Sequence, residues 1–211
     1  MIKTFLFDLD GTLIDTPPMI LESFKEIFKQ FFPNVVLSDK DYESFLGQPL
    51  YQTIADYEKN QEKAKMIAEA YHQISNQKID QSLKAYPDTA KTLAYLKAKG
   101  AQIGVVTSKL RTKAEKHLKQ AGLIAYIDLV IGYEDVSQHK PHPEALEKAL
   151  SLLGAKPHDT LYIGDHENDI KAAKKANVLS CAVSYSLRLQ EMLLENPDFV
   201  IDSMKHLKDL R

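Results

Sequence analysis

The chain has 211 residues, of which 44% are hydrophobic and 27% charged, so it is long enough to bury a full core. A formal net charge of -2 gives no general attraction for nucleic acid, and no apolar run approaches the roughly 18 residues of a membrane span. No secretory apolar region precedes Asp8. The single cysteine, Cys181, lies in an apolar run typical of a buried strand and excludes an internal disulfide. We therefore expect a cytoplasmic protein with no nucleic-acid or membrane partner.

The first predicted element is a strand over residues 2–7, which leads directly into Asp8, Asp10 and Gly11. Residues two apart on an extended backbone point to the same face, and Gly11 permits a sharp turn after them. Two carboxylates about 4 Å apart repel by roughly 4 kcal/mol at an effective dielectric near 20. One of them must therefore be protonated, or a divalent metal must lie between them.

A pair of carboxylates at the end of a strand suits two-step phosphoryl transfer. One carboxylate attacks phosphorus, while the other protonates the leaving oxygen and later activates a water molecule. Asp8 is the candidate nucleophile and Asp10 the candidate acid/base. The structural alternative is that both aspartates only cap a turn.

The next stretch, residues 15–80, has helical patterns and no β-branched run. Apolar residues recur three and four positions apart from Met19 to Phe31, which predicts an amphipathic helix. Shorter helical segments are predicted at residues 39–46, 50–57 and 62–74. We therefore predict an all-helical domain at 15–80, inserted into a second domain formed by residues 1–14 and 81–211.

Strand and helix patterns alternate from residue 86 to the end of the chain. The predicted strands are 101–106, 129–132, 160–163, 178–183 and 199–201, and the predicted helices are 87–99, 110–121, 144–153, 170–176, 187–194 and 204–210. Repeated alternation is typical of a parallel sheet covered on both faces, so the predicted fold class is α/β.

Polar residues follow two of the later strands. Thr107 and Ser108 offer a hydroxyl and a backbone N–H that bind oxyanions. Asp165 and Asp169 stand four apart, so a helix opening after Gly164 would place both carboxylates on one side of its first turn. Because the carboxyl ends of parallel strands lie at one edge, these groups can meet Asp8, and such an oxygen-rich set suits Mg²⁺.

Lys140 lies in a loop flanked by prolines, where its charge could neutralise both a nucleophilic carboxylate and an incoming phosphate. Each feature also has an ordinary structural explanation. Lysines are mostly solvated surface residues, a Thr-Ser pair often caps a helix, and an acidic pair often lies at a helix N-terminus. The candidate phosphate-binding residues are Gly11, Thr107, Ser108 and Lys140.

Four segments in this order resemble a known family. They are D-x-D-G-T at residues 8–12, Thr107-Ser108 after an apolar strand, Lys140-Pro141, and Gly164-Asp165-x-x-x-Asp169. Over nearly the whole chain, this pattern is similar to that of the haloacid dehalogenase superfamily of aspartate-nucleophile hydrolases. The resemblance implies a Rossmann-like core with a helical cap domain inserted after the first motif.

The resemblance also implies a role for each motif residue. Asp8 would be the nucleophile and a metal ligand, and Asp10 the acid/base and a metal ligand through its backbone carbonyl. Thr107 and Lys140 would stabilise the phosphate and the nucleophile. Asp165 and Asp169 would supply carboxylates to a Mg²⁺ site.

Within the superfamily, the second aspartate of the first motif indicates phosphate rather than halide chemistry. The small helical insert, with residues 45–50 at the place of a specificity loop, resembles the phosphoglycolate phosphatase-like group. We expect a Mg²⁺-dependent phosphatase acting on a small phosphorylated metabolite. Inorganic pyrophosphatase and sugar phosphomutase remain alternatives, and a non-enzymatic binding or regulatory protein is a remote one. The sequence leaves the oligomeric state open, a monomer included.

Overall fold

The computed structural model describes residues 2–46 and 48–210. Gly47, which belongs to the expected specificity loop at 45–50, lies outside the described residues, as do Met1 and Arg211. The chain divides into two compact units, one of Met1–Asp15 with Lys84–Arg211 and the other of Thr16–Leu83. Within the described residues, no helix is both long enough and apolar enough to cross a membrane.

The unit Thr16–Leu83 is helical throughout its regular structure. Its helices are α1 (Pro17–Phe31), α2 (Asp39–Glu43), α3 (Leu50–Tyr57) and α4 (Gln61–Ser82). Their apolar faces form an aromatic core in which the ring centroid of Phe28 lies 5.5 Å from that of Phe45 and 4.8 Å from that of Tyr57. Rings at these separations are in favourable contact, so the unit has a core of its own.

The sequence pattern predicts that helix α4 ends at residue 74, whereas in the structure it ends at Ser82. Its buried stripe continues beyond that point through Ser75 and Ile79, which are four residues apart. Ser75 is a polar member of this stripe, so a pattern based on apolar residues stops before it. The prediction of the helix was correct, and its length was wrong by two turns.

The other unit contains a parallel sheet of six strands among the described residues. In spatial order the strands are β3 (Leu129–Ile131), β2 (Gln102–Val106), β1 (Thr4–Phe7), β4 (Thr160–Gly164), β5 (Leu179–Val183) and β6 (Phe199–Ile201). Every residue of β1 and β4 is buried, as expected for strands covered on both faces. The predicted α/β fold class is confirmed.

Among its described residues, this unit also contains five α-helices. They are α5 (Thr89–Ala98), α6 (Arg111–Gln120), α7 (Glu144–Leu153), α8 (Glu167–Lys175) and α9 (Leu189–Leu194). Helix α8 begins three residues before the predicted start at residue 170. Its N-cap is His166, whose Nδ1 accepts a hydrogen bond from the backbone N–H of Asn168 at 3.0 Å. Histidine is an uncommon cap, so the sequence pattern did not mark this start.

Candidate active site

The register of the sheet brings the motif segments to one edge. Phe7 at the end of β1 pairs with Val105 of β2 on one side and with Ile163 of β4 on the other. The residues that follow these three positions therefore leave the sheet side by side. The switch in chain order at β1 makes this edge the usual place for a ligand in an open α/β sheet.

Lys140 is the cation at the centre of this edge. Its Nζ donates to Asp8 Oδ1 at 3.0 Å and to Asp169 Oδ1 at 2.6 Å, and its side chain is 9% exposed. Burial acts to lower the pKa of the Lys140 ammonium, but the carboxylates of Asp169 and Asp8 outweigh it and hold the pKa well above its usual value. The structural alternative, a solvated surface lysine, is wrong.

Tyr162, in β4, completes the surroundings of this lysine. Its hydroxyl accepts a hydrogen bond from Lys140 Nζ at 3.0 Å and donates to the backbone carbonyl of Val106 at 2.9 Å. The sequence pattern marked Tyr162 only as part of an apolar strand. No spacing signal distinguishes a core tyrosine from one whose hydroxyl reaches a site.

Three carboxylates lie beside Lys140. Oxygens of Asp8, Asp165 and Asp169 all lie within 4.8 Å of one another. Burial raises the pKa of Asp8 to about 6, against the opposing effect of Lys140, and the charge of Asp169 adds to the rise. Burial and the charges of Asp8 and Asp169 also hold the pKa of Asp165 well above its usual value. The cluster carries more negative charge than Lys140 compensates.

Asp165 and Asp169 reach the cluster from different local structures. Asp169 lies in the first turn of α8, and its Oδ2 accepts a hydrogen bond from the backbone N–H of His166 at 3.0 Å. Asp165 precedes the helix, and its Oδ1 accepts from the hydroxyl of Thr12 at 3.1 Å. The expectation that one helical turn carries both carboxylates is therefore wrong, although the two carboxylates do meet.

Gly11 makes room for the Asp165 carboxylate. Its backbone has a φ of 75°, in the left-handed region, and a Cβ at this position would overlap the carboxylate of Asp165. The backbone conformation alone favours glycine, and any side chain at this position would have to displace the Asp165 carboxylate. The turn after β1 therefore depends on this glycine for two separate reasons.

Replacing Gly11 by alanine is expected to lower the free energy of unfolding and to displace Asp165. Gly122→Ala is the matched control, because Gly122 has a φ of 71° and nothing within 4 Å of its added Cβ. The control should show only the backbone cost of about 1 kcal/mol, and Gly11→Ala should cost more. Urea unfolding of both variants measures the difference. Equal losses of stability would show that the overlap with Asp165 is harmless.

The Asp10 carboxylate pairs with a different lysine from the one that contacts Asp8. Lys109 Nζ lies 2.7 Å from Asp10 Oδ1 and 3.0 Å from Nδ1 of His117, a buried residue of α6. From the sequence alone, the repulsion between Asp8 and Asp10 has two remedies, protonation of one carboxylate or a metal between them. The structure shows a third remedy, because each aspartate pairs with a lysine, Asp8 with Lys140 and Asp10 with Lys109. Lys109 and His117 were not among the predicted site residues.

Thr107 and Ser108 follow β2 and do not cap the next helix. The N-cap of α6 is Leu110, which makes no side-chain capping bond. The hydroxyl of Thr107 instead accepts a hydrogen bond from the backbone N–H of Lys109 at 3.2 Å, and Thr107 is buried while Ser108 is exposed. The capping alternative is wrong, and the short turn holds Thr107 at the same edge as Asp8.

Cys181 lies in β5 and is fully buried. Burial raises the pKa of its thiol to about 12, so little reactive thiolate forms near neutral pH. The prediction of a buried core thiol is confirmed.

The fold and the convergent acidic edge agree with a comparison to known families. A family model described as haloacid dehalogenase-like hydrolase matches residues 5–183. The chain belongs to this family. The match confirms the family predicted from the four motif segments, and with it the predicted class of enzyme, a phosphatase-type hydrolase.

Individual relatives cover nearly the whole chain. Pyrophosphatase PpaX of Bacillus cereus is 37% identical over 207 residues, which is 98% of this chain and 94% of the relative. A structure described as a predicted phosphatase from Clostridium acetobutylicum has a TM-score of 0.82 and 27% identity, and covers 100% of this chain and 98% of its own. One described as a predicted phosphoglycolate phosphatase from Haemophilus somnus has a TM-score of 0.85 at 23% identity, covering 99% and 97%, and shows the shared fold.

Proposed function

We propose that the protein is a Mg²⁺-dependent phosphatase that hydrolyses a small phosphorylated metabolite through an aspartyl phosphate on Asp8. The convergence of Asp8, Asp165, Asp169 and Lys140 at one sheet edge carries this proposal. A lone carboxylate is a weak nucleophile toward a phosphate dianion, since both are negative. A buried ammonium and a divalent cation beside it reduce that repulsion.

The three carboxylates fit a hard divalent cation. Their oxygens are close enough to share one ion. Burial, and after it the charges of the neighbouring carboxylates, raise the pKa values of Asp8 and Asp165, and a cation would favour the ionised form of both groups. Mg²⁺ prefers such oxygen ligands and keeps water or substrate phosphate in its other positions. Asp8, Asp165 and Asp169 would hold it with the backbone carbonyl of Asp10. When bound, it would offset the charge of the transferred phosphoryl group.

The proposed reaction then has two steps, and side chains of this protein take part in each. In the first, an Asp8 oxygen forms a bond to phosphorus, the bond to the leaving oxygen breaks, and Asp10 gives that oxygen a proton. In the second, Asp10 takes a proton from water, whose oxygen bonds to phosphorus and releases Asp8. Lys140 and the Thr107 hydroxyl hold the phosphoryl oxygens during both steps.

The leaving group is the part of the substrate that the site at the sheet edge does not define. A small phosphomonoester follows from the resemblance to the phosphoglycolate phosphatase-like group. Residues 15–80 contain no arginine, so a bidentate guanidinium clamp on a substrate carboxylate is absent from that region. Inorganic pyrophosphate is the second candidate, and it is favoured by the name of the Bacillus cereus relative.

An assay of phosphate release with and without Mg²⁺ tests the proposal. We expect hydrolysis of 4-nitrophenyl phosphate with Mg²⁺ and its loss on addition of a chelator, with recovery when excess Mg²⁺ is restored. A panel of small phosphomonoesters and pyrophosphate, compared by kcat/KM, then identifies the leaving group. If phosphate is released from no substrate of the panel with Mg²⁺ present, the proposal is contradicted. Sugar phosphate isomerisation without phosphate release would favour the mutase alternative.

The remaining expectations stay predictions. The unit Thr16–Leu83 is proposed as the cap domain because it is helical and follows the first motif in the chain. A cytoplasmic location is proposed from the composition of the chain.

A further inference from the structure

Lys109 is placed to control the position of the Asp10 side chain. Its ammonium has protons to donate and no lone pair, so it donates to Asp10 Oδ1 at 2.7 Å and to His117 Nδ1 at 3.0 Å. His117 must then carry its ring proton on Nε2. Asp10 and Lys109 are both mostly shielded from solvent, with side chains 22% and 15% exposed.

The backbone of Lys109 is held on both sides. Its N–H donates to the Thr107 hydroxyl at 3.2 Å, and its carbonyl accepts from the backbone N–H of Tyr133 at 2.9 Å. His117, which anchors the other end of the side chain, is 3% exposed and belongs to α6. Both ends of a flexible lysine are therefore tied to rigid structure, and this reduces the number of conformations open to its ammonium.

Asp10 itself lies on a loop rather than in a strand or a helix. It follows β1 by three residues, within the tight turn that Gly11 forms. Acid/base catalysis requires the carboxylate to lie within hydrogen-bond reach of the leaving oxygen. A displacement of about 1 Å in a catalytic group can cost 10²-fold in rate.

We propose that Lys109, held by His117, is a positioning residue that fixes the Asp10 carboxylate where it meets the leaving oxygen. The inference rests on the proposed function, because it assumes that Asp10 is the acid/base. Lys140 contacts Asp8 and would stabilise the phosphoryl group, whereas Lys109 contacts Asp10 and would act on the side of the leaving group. The two lysines thus have separate tasks at one edge of the sheet.

Two aryl esters of similar shape test this division of tasks. Phenyl phosphate has a more basic leaving group than 4-nitrophenyl phosphate and depends more on a proton donor. The kcat/KM value reports steps up to the first irreversible one, so it isolates the transfer to Asp8. In Lys109→Met, we expect kcat/KM for phenyl phosphate to fall about 10²-fold and that for 4-nitrophenyl phosphate to fall less than about threefold.

Three variants give the comparison its controls. Lys97→Met removes another lysine that pairs with an aspartate, Asp128 at 2.6 Å, and should leave both values unchanged. Asp10→Asn should reproduce the selective loss, and adding Lys109→Met to it should cost little more, because both changes act on one group. Lys109→Arg keeps the charge but shifts the donors, so we expect a smaller loss with the same selectivity. It also serves as the test if Lys109→Met does not fold.

The outcomes separate the inference from the proposed function. Equal losses with both esters, or no loss with either, would overturn the role of Lys109 while leaving the phosphatase proposal intact. A full additional loss in the double variant would also overturn it. If the wild-type protein releases phosphate from neither ester and from no other member of the panel with Mg²⁺ present, the proposed function itself fails.

Discussion

Asp8→Asn is expected to reduce steady-state phosphate release by at least about 10³-fold, since the amide has no charged oxygen to attack phosphorus. The fold should survive, because the amide has nearly the same shape and Lys140 keeps its contact with Asp169 at 2.6 Å. Phosphate release with Mg²⁺ measures the loss, and circular dichroism checks the fold. Multiple turnovers by a folded Asp8→Asn protein would contradict the aspartyl phosphate.

Asp39→Asn is the matched control for this change. Asp39 pairs with Lys25 at 2.6 Å, but its side chain is 81% exposed and lies in the helical unit. The same aspartate-to-asparagine change there should leave phosphate release unchanged. A loss of similar size in the control would mean that the assay reports general damage rather than a missing nucleophile.

Lys140→Met is expected to produce the largest loss of stability as well as a loss of activity. Removing one partner of a buried ion pair costs about 3–5 kcal/mol, because the remaining charge is left uncompensated. Here the carboxylates of Asp8 and Asp169 both lose their cation. The cost should be measured by urea unfolding at pH 8 without divalent cations.

The same variant should recover stability as the pH falls. The pKa of Asp8 is already raised to about 6, and that of Asp165 is raised as well, so the folded cluster binds protons more readily than the unfolded chain. Stability therefore decreases as the pH rises through this range, and loss of the lysine charge strengthens that dependence. We expect a much smaller cost at pH 5 than at pH 8. A cost that does not change with pH would contradict the electrostatic explanation.

Lys97→Met again provides the comparison, because Lys97 forms a short pair with Asp128 in which the side chains are 33% and 34% exposed, far more than those of the Lys140 pairs. Exposed pairs contribute about 0.2–1 kcal/mol, so this variant should lose little stability at either pH. A loss as large as that of Lys140→Met would show that burial is not the cause of the difference.

The sequence predicted the fold class and the convergence of the motif segments for a simple physical reason. Strands buried on both faces appear as apolar runs, and parallel strands necessarily present their carboxyl ends at one edge. The identities of Asp8, Thr107 and Asp165 at those ends were therefore enough to predict that they would meet. Their catalytic roles remain predictions.

The side-chain partners within the site could not be predicted in this way. Lys109 follows Thr107 and Ser108 directly, yet nothing in its position shows that its ammonium turns toward Asp10. Tyr162 has the same difficulty, because a strand pattern reports burial but not where a hydroxyl points. Ion pairs and hydrogen bonds of this kind depend on rotamers chosen among neighbours from distant segments.

The order of the strands has a consequence for synthesis of the protein on the ribosome. Strand β1 lies between β2 and β4, which are made much later, so Asp8 emerges long before the residues around it. A partly made chain that ends before residue 140 contains Asp8, the proposed nucleophile, but lacks Lys140, Asp165 and Asp169. The proposed site is therefore incomplete until the chain has been made through Asp169, and a chain that stops earlier lacks the groups proposed to activate Asp8.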